Sequence, residues 1–274
     1  MTGRPAVSLC VIPRDEARNI VACLESADFC DEAVVLDSGS TDATRELDAA
    51  QGARVTLRDW PGHIAQKNRA LDAATHDWVL CVDADERVTP ELRASILAAL
   101  ARPDLPDGFT VNRRTFYLGK WIRHGGWYPD RKLRLFRRSK GRWGGMDPHD
   151  HVYVEGRVEH LAGDLLHFSY DSLSDHLRTI HAFTTTMARE RHERGRSASV
   201  FDVTVRPAWK FVRMYVFRAG FLDGVQGLLV ALLGSYYVLL KYVKLMERAR
   251  GWDDPSLRDA AEREALGPGT SDAR

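Results

Sequence analysis

Asp83 and Asp85, in the pentapeptide VDADE at residues 82–86, directly follow the apolar run Trp78, Val79, Leu80, Cys81 and Val82. A buried strand that ends in two carboxylates separated by one small residue can present both to a divalent cation that also holds a diphosphate. Hard cations such as Mg²⁺ or Mn²⁺ take oxygen ligands and often use few protein carboxylates, because substrate phosphates complete the shell. This chemistry makes transfer from a nucleotide-sugar the leading expectation. A structural alternative stands beside it. Thr89 and Pro90 supply an N-cap and a first-turn proline, so VDADE also reads as an acidic turn into a helix. The five residues alone do not separate the two readings.

Other residues extend the chemical reading. Asp37 is followed by SGSTD; its carboxylate can accept from a base or ribose while the small residues let backbone approach a ligand. Turn and helix-cap chemistry is the alternative for Asp37 and Asp42. His149, His151, His160 and His167 fall close together without the spacing of a zinc site, and strand histidines are more often hydrogen bonders. The segment WIRHGGWYPDRKLRLFRR, residues 121–138, offers Trp121, Trp127 and Tyr128 as flat faces for sugar rings, with Arg131 and Arg134 beside them for acceptor phosphate. Leu133 and Leu135 alternate with charged residues there, as in any half-exposed strand. A formal net charge of +1 argues against nucleic acid as the partner of this segment.

The elements that must position these groups are legible. Ala6 to Ile12, Glu32 to Leu36, Arg54 to Leu57 and Trp78 to Val82 read as strands. Helices are expected from Asp15, up to Ala50, from Ile64 to Ala74 and from Pro90 to Leu100. Strands this apolar, linked by helices, predict a parallel sheet covered on both faces. Ligands of such sheets bind beyond the carboxyl ends of the strands, and Pro13, Asp37 and Asp83 all sit there, so three loops should share one crevice. The 274 residues, 44% hydrophobic and 28% charged, suffice for one large core plus an appendage. Cys10, Cys23, Cys30 and Cys81 lack metal-ligand spacing and read as core thiols of a reducing cytosol. Met1 to Pro5 is too short and polar for a secretory leader.

The C-terminal third differs. Ser174 to Arg194 reads as an amphipathic helix with Leu177, Ile180, Phe183 and Met187 inward. Gly224 to Leu240 carries no charge, yet falls short of the roughly 20 residues that cross a bilayer, and Lys241 and Lys244 interrupt it. Upstream, RPAWKFVRMYVFRAGF mixes cations with aromatics, the pattern of helices lying in a membrane surface. A helical hairpin packed on the first domain, or on a second copy in a homodimer, is one alternative, and a true spanning helix is another. After about Gly251 the chain reads as flexible and polar.

The succession SLCVIPRDEARNI, VVLDSGSTDAT, AQKNRAL and WVLCVDADE resembles family 2 of the inverting glycosyltransferases, which have the GT-A fold. More narrowly it is similar to bacterial lipopolysaccharide-core glycosyltransferases that include β-1,4-glucosyltransferases, from about residue 6 to about residue 250. Arg14 and Asp15 depart from the usual pattern, which bears on uracil recognition. The resemblance implies a GT-A (Rossmann-like) α/β domain, residues 1–170; the composition of the C-terminal third adds a helical membrane-associating extension over 171–250 and a tail over 251–274. It implies that Pro13 and Asp37 contact the nucleoside, that Lys67 or Asn68 lies near the phosphates, and that Asp83 and Asp85 hold Mg²⁺ or Mn²⁺, with His167 as a late ligand. Glu86 would position the metal loop, or else serve only as a first-turn helix carboxylate. Inversion needs a base opposite the diphosphate. His149-Asp150 matches the His-Glu pair of the narrower group with a shorter acid, so Asp150 is the candidate, with Asp147 and Asp130 as competitors. The implied reaction moves glucose from a UDP-sugar to a glycolipid or saccharide acceptor, at the inner face of the cell membrane. Transfer to polyprenyl phosphate, or a non-catalytic sugar-nucleotide binder, are the alternatives.

Overall fold

Strands β1 (Val7–Val11), β2 (Glu32–Asp37) and β4 (Trp78–Cys81) are apolar at successive positions because both of their faces are covered. The computed structural model of the chain describes residues 3–146 and 149–266. Alternate side chains point to opposite faces of a strand, and the two cores follow that period. Val7, Leu9, Val11, Val35, Trp78 and Leu80 meet helices α1 (Ile20–Ser26) and α4 (Pro90–Leu100). Cys10, Val34, Leu36, Val79 and Cys81 meet Ala70 and Leu71 of helix α3 (His63–Ala73). Helix α2 (Thr44–Ala50) leads into strand β3 (Arg54–Leu57), which pairs with β2.

These strands form the parallel half of a nine-stranded sheet, in the order β3-β2-β1-β4. The other half is mixed. Strand β5 (Glu86–Val88) precedes α4, and β6 (Gly108–Tyr117), β7 (Lys120–Trp121), β8 (Asp130–Arg137) and β11 (Val158–Tyr170) follow it. β8 lies antiparallel between β4 and β6, β11 runs parallel to β6, and β5 pairs antiparallel with the end of β11. Strands β9 (Gly141–Met146) and β10 (His149–Val154) form a separate hairpin. Asn68 of α3 holds this hairpin: its amide donates to the Trp143 carbonyl at 2.9 Å and accepts from the Trp143 N–H at 3.0 Å, as a strand partner would.

The fold is thus the expected α/β sheet, with two local differences in its first hundred residues. The first helix begins at Ile20 rather than Asp15, because Asp15 has φ +56° and its carboxylate accepts from the N–H (2.7 Å) and hydroxyl (3.1 Å) of Thr41. After VDADE the chain enters β5 before its helix; Thr89 then caps α4 by accepting from the Leu92 N–H at 3.2 Å. All four cysteines are free.

The chain divides into two compact units, residues 1–171 and 172–274. In the second, helix α5 (Leu173–Glu193) starts at Ser172, whose hydroxyl accepts from the Asp175 N–H at 3.1 Å. Ile180 and Met187 are buried as expected, whereas Leu177 is exposed. Helix α6 (Val200–Val212) runs through a π-turn at Arg213–Phe217 and a 3₁₀ turn at Gly220–Asp223 into the 27-residue helix α7 (Gly224–Arg250). Ala188, Tyr242 and Leu245 form its core with Val203 and Val238. Beyond Gly251, where the sequence reads as flexible, Ser256–Leu266 form the exposed helix α8.

Candidate active site

The carboxyl end of β4, the middle of α3 and the start of β10 meet around one ammonium group. Lys67 Nζ stands 3.1 Å from Asp83 Oδ1 and 2.8 Å from Asp150 Oδ2. Lys67 is 9% exposed, so it does not show its charge to solvent from α3. Burial disfavours the ammonium, but Asp83 and Asp150 outweigh that and raise it above the ordinary lysine range. The Trp143 ring of β9 lies under it, with Nζ 4.3 Å from the centroid.

The second oxygen of Asp83 is also taken. Arg134 of β8, nearly fully buried, donates to Asp83 Oδ2 at 2.8 Å and to Glu86 Oε1 at 2.7 Å. Glu86, fully buried, accepts the Asp83 N–H at 2.9 Å through its other oxygen, and Arg113 stands 3.5 Å from it. Burial opposes the Asp83 carboxylate, yet Arg134 and Lys67 hold it well below the usual range. Glu86 therefore fixes both the backbone and, through Arg134, the side chain of Asp83. Cys10, Ile12, Ala70 and Trp143 join Lys67, Asp83 and Arg134 around one small recess.

Asp85 turns elsewhere. Its Oδ2 lies 3.2 Å from His167 Nε2, and its carbonyl accepts from the Phe168 N–H at 3.0 Å, so both atoms tie it to β11. Thr115 Oγ1 sits 3.2 Å from His167 Nδ1 and can serve either ring tautomer, which leaves Nε2 able to act as a ligand. Among the described residues no group of three or more His, Cys, Asp or Glu side chains is gathered for a metal. The donor set that fits a divalent cation is thus one carboxylate and one imidazole, with substrate oxygens needed to complete the shell.

The remaining expected residues fall in several places. The Pro13 carbonyl accepts from the Ser38 N–H at 3.2 Å, joining the loops after β1 and β2. Asp37 is fully buried; Oδ1 accepts from the N–H groups of Gly39 and Ser40 at 2.9 Å each, and the Ser40 hydroxyl donates to Oδ2. Asp37 therefore shapes its own turn. Asn68 is committed to Trp143, as described above. Trp127 packs edge-on to Tyr117 at 5.3 Å, the Tyr128 hydroxyl donates to Asp164 at 3.0 Å, and Arg131 is exposed on β8. Trp121 instead closes a triangle of rings with Phe116 and Phe168, next in chain to His167. Asp130 is paired with Arg113 at 2.7 Å and Lys132 at 3.0 Å. Asp147 and the His149 side chain lie outside the described residues.

The sequence reading passed over Trp143 and gave Arg134 only an acceptor role. One signal was available: an arginine between two leucines on a strand, with three acidic residues in VDADE to neutralise.

Comparison with known proteins gives the family. The profile described as Glycosyl transferase family 2 matches residues 8–158, more than half of the chain. The chain belongs to that family. Family 2 membership makes it a glycosyltransferase, and its sheet, with helices on both faces of the parallel half, is of the GT-A type. It is 30% identical over 267 residues to the lipopolysaccharide core biosynthesis glycosyltransferase LpsC of Rhizobium meliloti (strain 1021), covering 95% of this chain and 99% of that one. It is 24% identical to the uncharacterized glycosyltransferase RT0209 of Rickettsia typhi, covering 88% of this chain and 87% of that one. Among solved structures, glucosyl-3-phosphoglycerate synthase from Mycobacterium tuberculosis, in complex with Mn²⁺, UDP and glucosyl-3-phosphoglycerate, is 27% identical with a TM-score of 0.34. That match spans 42% of this chain and 45% of the other, less than half of either.

Proposed function

We propose that this family 2 glycosyltransferase moves a hexose, glucose, from a UDP-sugar to a saccharide of the lipopolysaccharide core, with inversion at the anomeric carbon. One observation carries the reading: Lys67 bridges the carboxylate that ends β4 and the carboxylate of Asp150, 3.1 and 2.8 Å away. A base for the acceptor hydroxyl and a cluster of positive charge for the departing diphosphate therefore share one pocket. Asp150 takes the proton as the hydroxyl attacks. Lys67 and Arg134, held in place by Asp83 and Glu86, offer fixed positive charge where negative charge builds. Asp85 and His167 are the residues that would hold a divalent cation; when bound, such an ion supplies Lewis-acid neutralisation of the nucleoside diphosphate. Pro13 and Asp37 shape the nucleoside end, and Trp127, Tyr128 and Arg131 belong to the acceptor side.

The name of the R. meliloti relative supports a core-saccharide acceptor. The proposed setting is the cytoplasmic face of the cell membrane, with peripheral attachment through residues 171–250. The test is nucleotide release by the purified chain from a panel of UDP-hexoses, with a delipidated core saccharide as acceptor, with and without chelator. Asp150→Asn should keep donor binding and lose turnover by roughly 10²–10⁴-fold. Unchanged turnover in that variant would remove Asp150 as the base; donor binding without turnover in the wild type would leave a sugar-nucleotide binder, and transfer to polyprenyl phosphate alone would replace the acceptor.

A further inference from the structure

The second unit has an apolar face that nothing within that unit covers. On α6 and the π-turn, Phe201, Val205, Trp209, Val212 and Val216 are all exposed and recur at steps of four, four, three and four residues, which is one stripe of a helix. At the bend that follows, Phe217 is 69% and Val225 68% exposed, with Phe221 and Leu222 between them. Gly220–Arg250 is one helical segment of 31 residues, long and apolar enough by length and composition to cross a bilayer where the charge-free run read from the sequence alone is too short, and only 22% of its most apolar window is buried. Isolated exposed apolar residues are ordinary, but a continuous face of this extent marks an interaction surface.

The bend is built rigidly. Ala219 takes a left-handed φ of +53°, and a Cβ on Gly227 would collide with the Gly220 carbonyl, so the start of α7 lies directly on the 3₁₀ turn. Its apolar tips are therefore held out by backbone packing.

Charge selects the occupant. Residues 200–218 hold Arg206, Lys210, Arg213 and Arg218 against the single carboxylate of Asp202, four minus one, or +3. Burial, and then the neighbouring Arg213 and Arg218, lower the Lys210 ammonium from its ordinary range, so these cations stand close enough to repel one another. A second copy would bring the same charge to the same face. We infer that the α6–α7 hairpin docks in the headgroup region of an anionic lipid bilayer, with the bend and the α6 stripe entering the acyl boundary and the cations meeting lipid phosphate. This deepens the peripheral setting proposed above and rests on that reading only for the identity of the membrane-borne acceptor.

The experiment is flotation of the full chain with vesicles of phosphatidylcholine alone and of phosphatidylcholine mixed with phosphatidylglycerol. The chain should float with the anionic vesicles and poorly with the neutral ones. The double variant Phe217→Asp/Val225→Asp should lose about tenfold or more of that binding, keep its melting temperature because both sites are exposed, and keep nucleotide release with a delipidated acceptor. Arg213→Glu/Arg218→Glu should lose the preference for anionic lipid. Flotation untouched by the aspartate pair overturns the inference. So does a dimer in sedimentation analysis that the pair splits, which would make the face a protein interface. Loss of transfer with flotation retained would strike the proposed reaction and leave this inference standing.

Discussion

Lys67 is the residue on which the candidate site turns. A buried ammonium between two carboxylates loses much more when one partner is removed than an exposed pair would, on the order of 3–5 kcal/mol. Lys67→Met should therefore lower stability by about 3 kcal/mol and turnover by at least ~10²-fold, measured by thermal melts and by nucleotide release at saturating donor. A melt that shifts while turnover stays intact would reduce Lys67 to a structural ion pair. His167 makes a different test. If it and Asp85 hold the cation, His167→Ala should raise the Mn²⁺ concentration needed for half-maximal donor binding by about 10–100-fold, read as UDP affinity by calorimetry. Asp85 would keep the variant responsive to Mg²⁺, since a carboxylate suits that ion better than imidazole does. UDP affinity independent of added metal in both wild type and variant would refute the assignment.

At the scale of elements, helix α2 carries an unexplained charge. Asp48 is fully buried, and neither of its oxygens has a hydrogen-bond partner among the described residues. Burial, and then Asp37 at the end of β2, push its carboxyl up to about 7. The folded state then binds a proton that the unfolded chain releases near pH 4. Stability from this group is full below that value and falls as pH rises to about 7. Asp48→Asn should flatten that decline and gain roughly 2 kcal/mol near pH 8, with the gap closing below pH ~4 in denaturant titrations. A constant difference across the range would show that the group does not titrate with folding. The neighbouring helix α3 argues how much was readable. Its span was legible to one residue at each end, and so was the basic run AQKNRAL. Its partner was not, because Asn68 and Lys67 are oriented by a hairpin 75 or more residues away in sequence.

At the scale of the whole molecule, each compact unit satisfies its charges differently. The first buries Glu86, Arg134 and Lys67 beside the half-buried Asp83, whereas the second leaves cations and aromatics on its surface. Attachment of the full chain to anionic vesicles should accordingly weaken as salt rises from 50 to 500 mM, yet not vanish, because apolar burial is not screened. Complete release by salt would show that only the cations touch lipid.

The sequence by itself determined the order of strands and helices in the first hundred residues, the carboxylates at the strand ends and the family. These depend on local periodicity and on motifs read in a single stretch of chain. Tertiary structure alone decided that Asp83 and Asp85 part company, one to Lys67 and Arg134 and the other to His167. It also decided that Asp37 folds onto its own turn. Asp83 and Asp85 lie in the turn between β4 and β5, where strand alternation no longer sets the direction of a side chain, and which partner each meets depends on β8, β11 and α3 crossing there, a long-range pairing that no local pattern encodes.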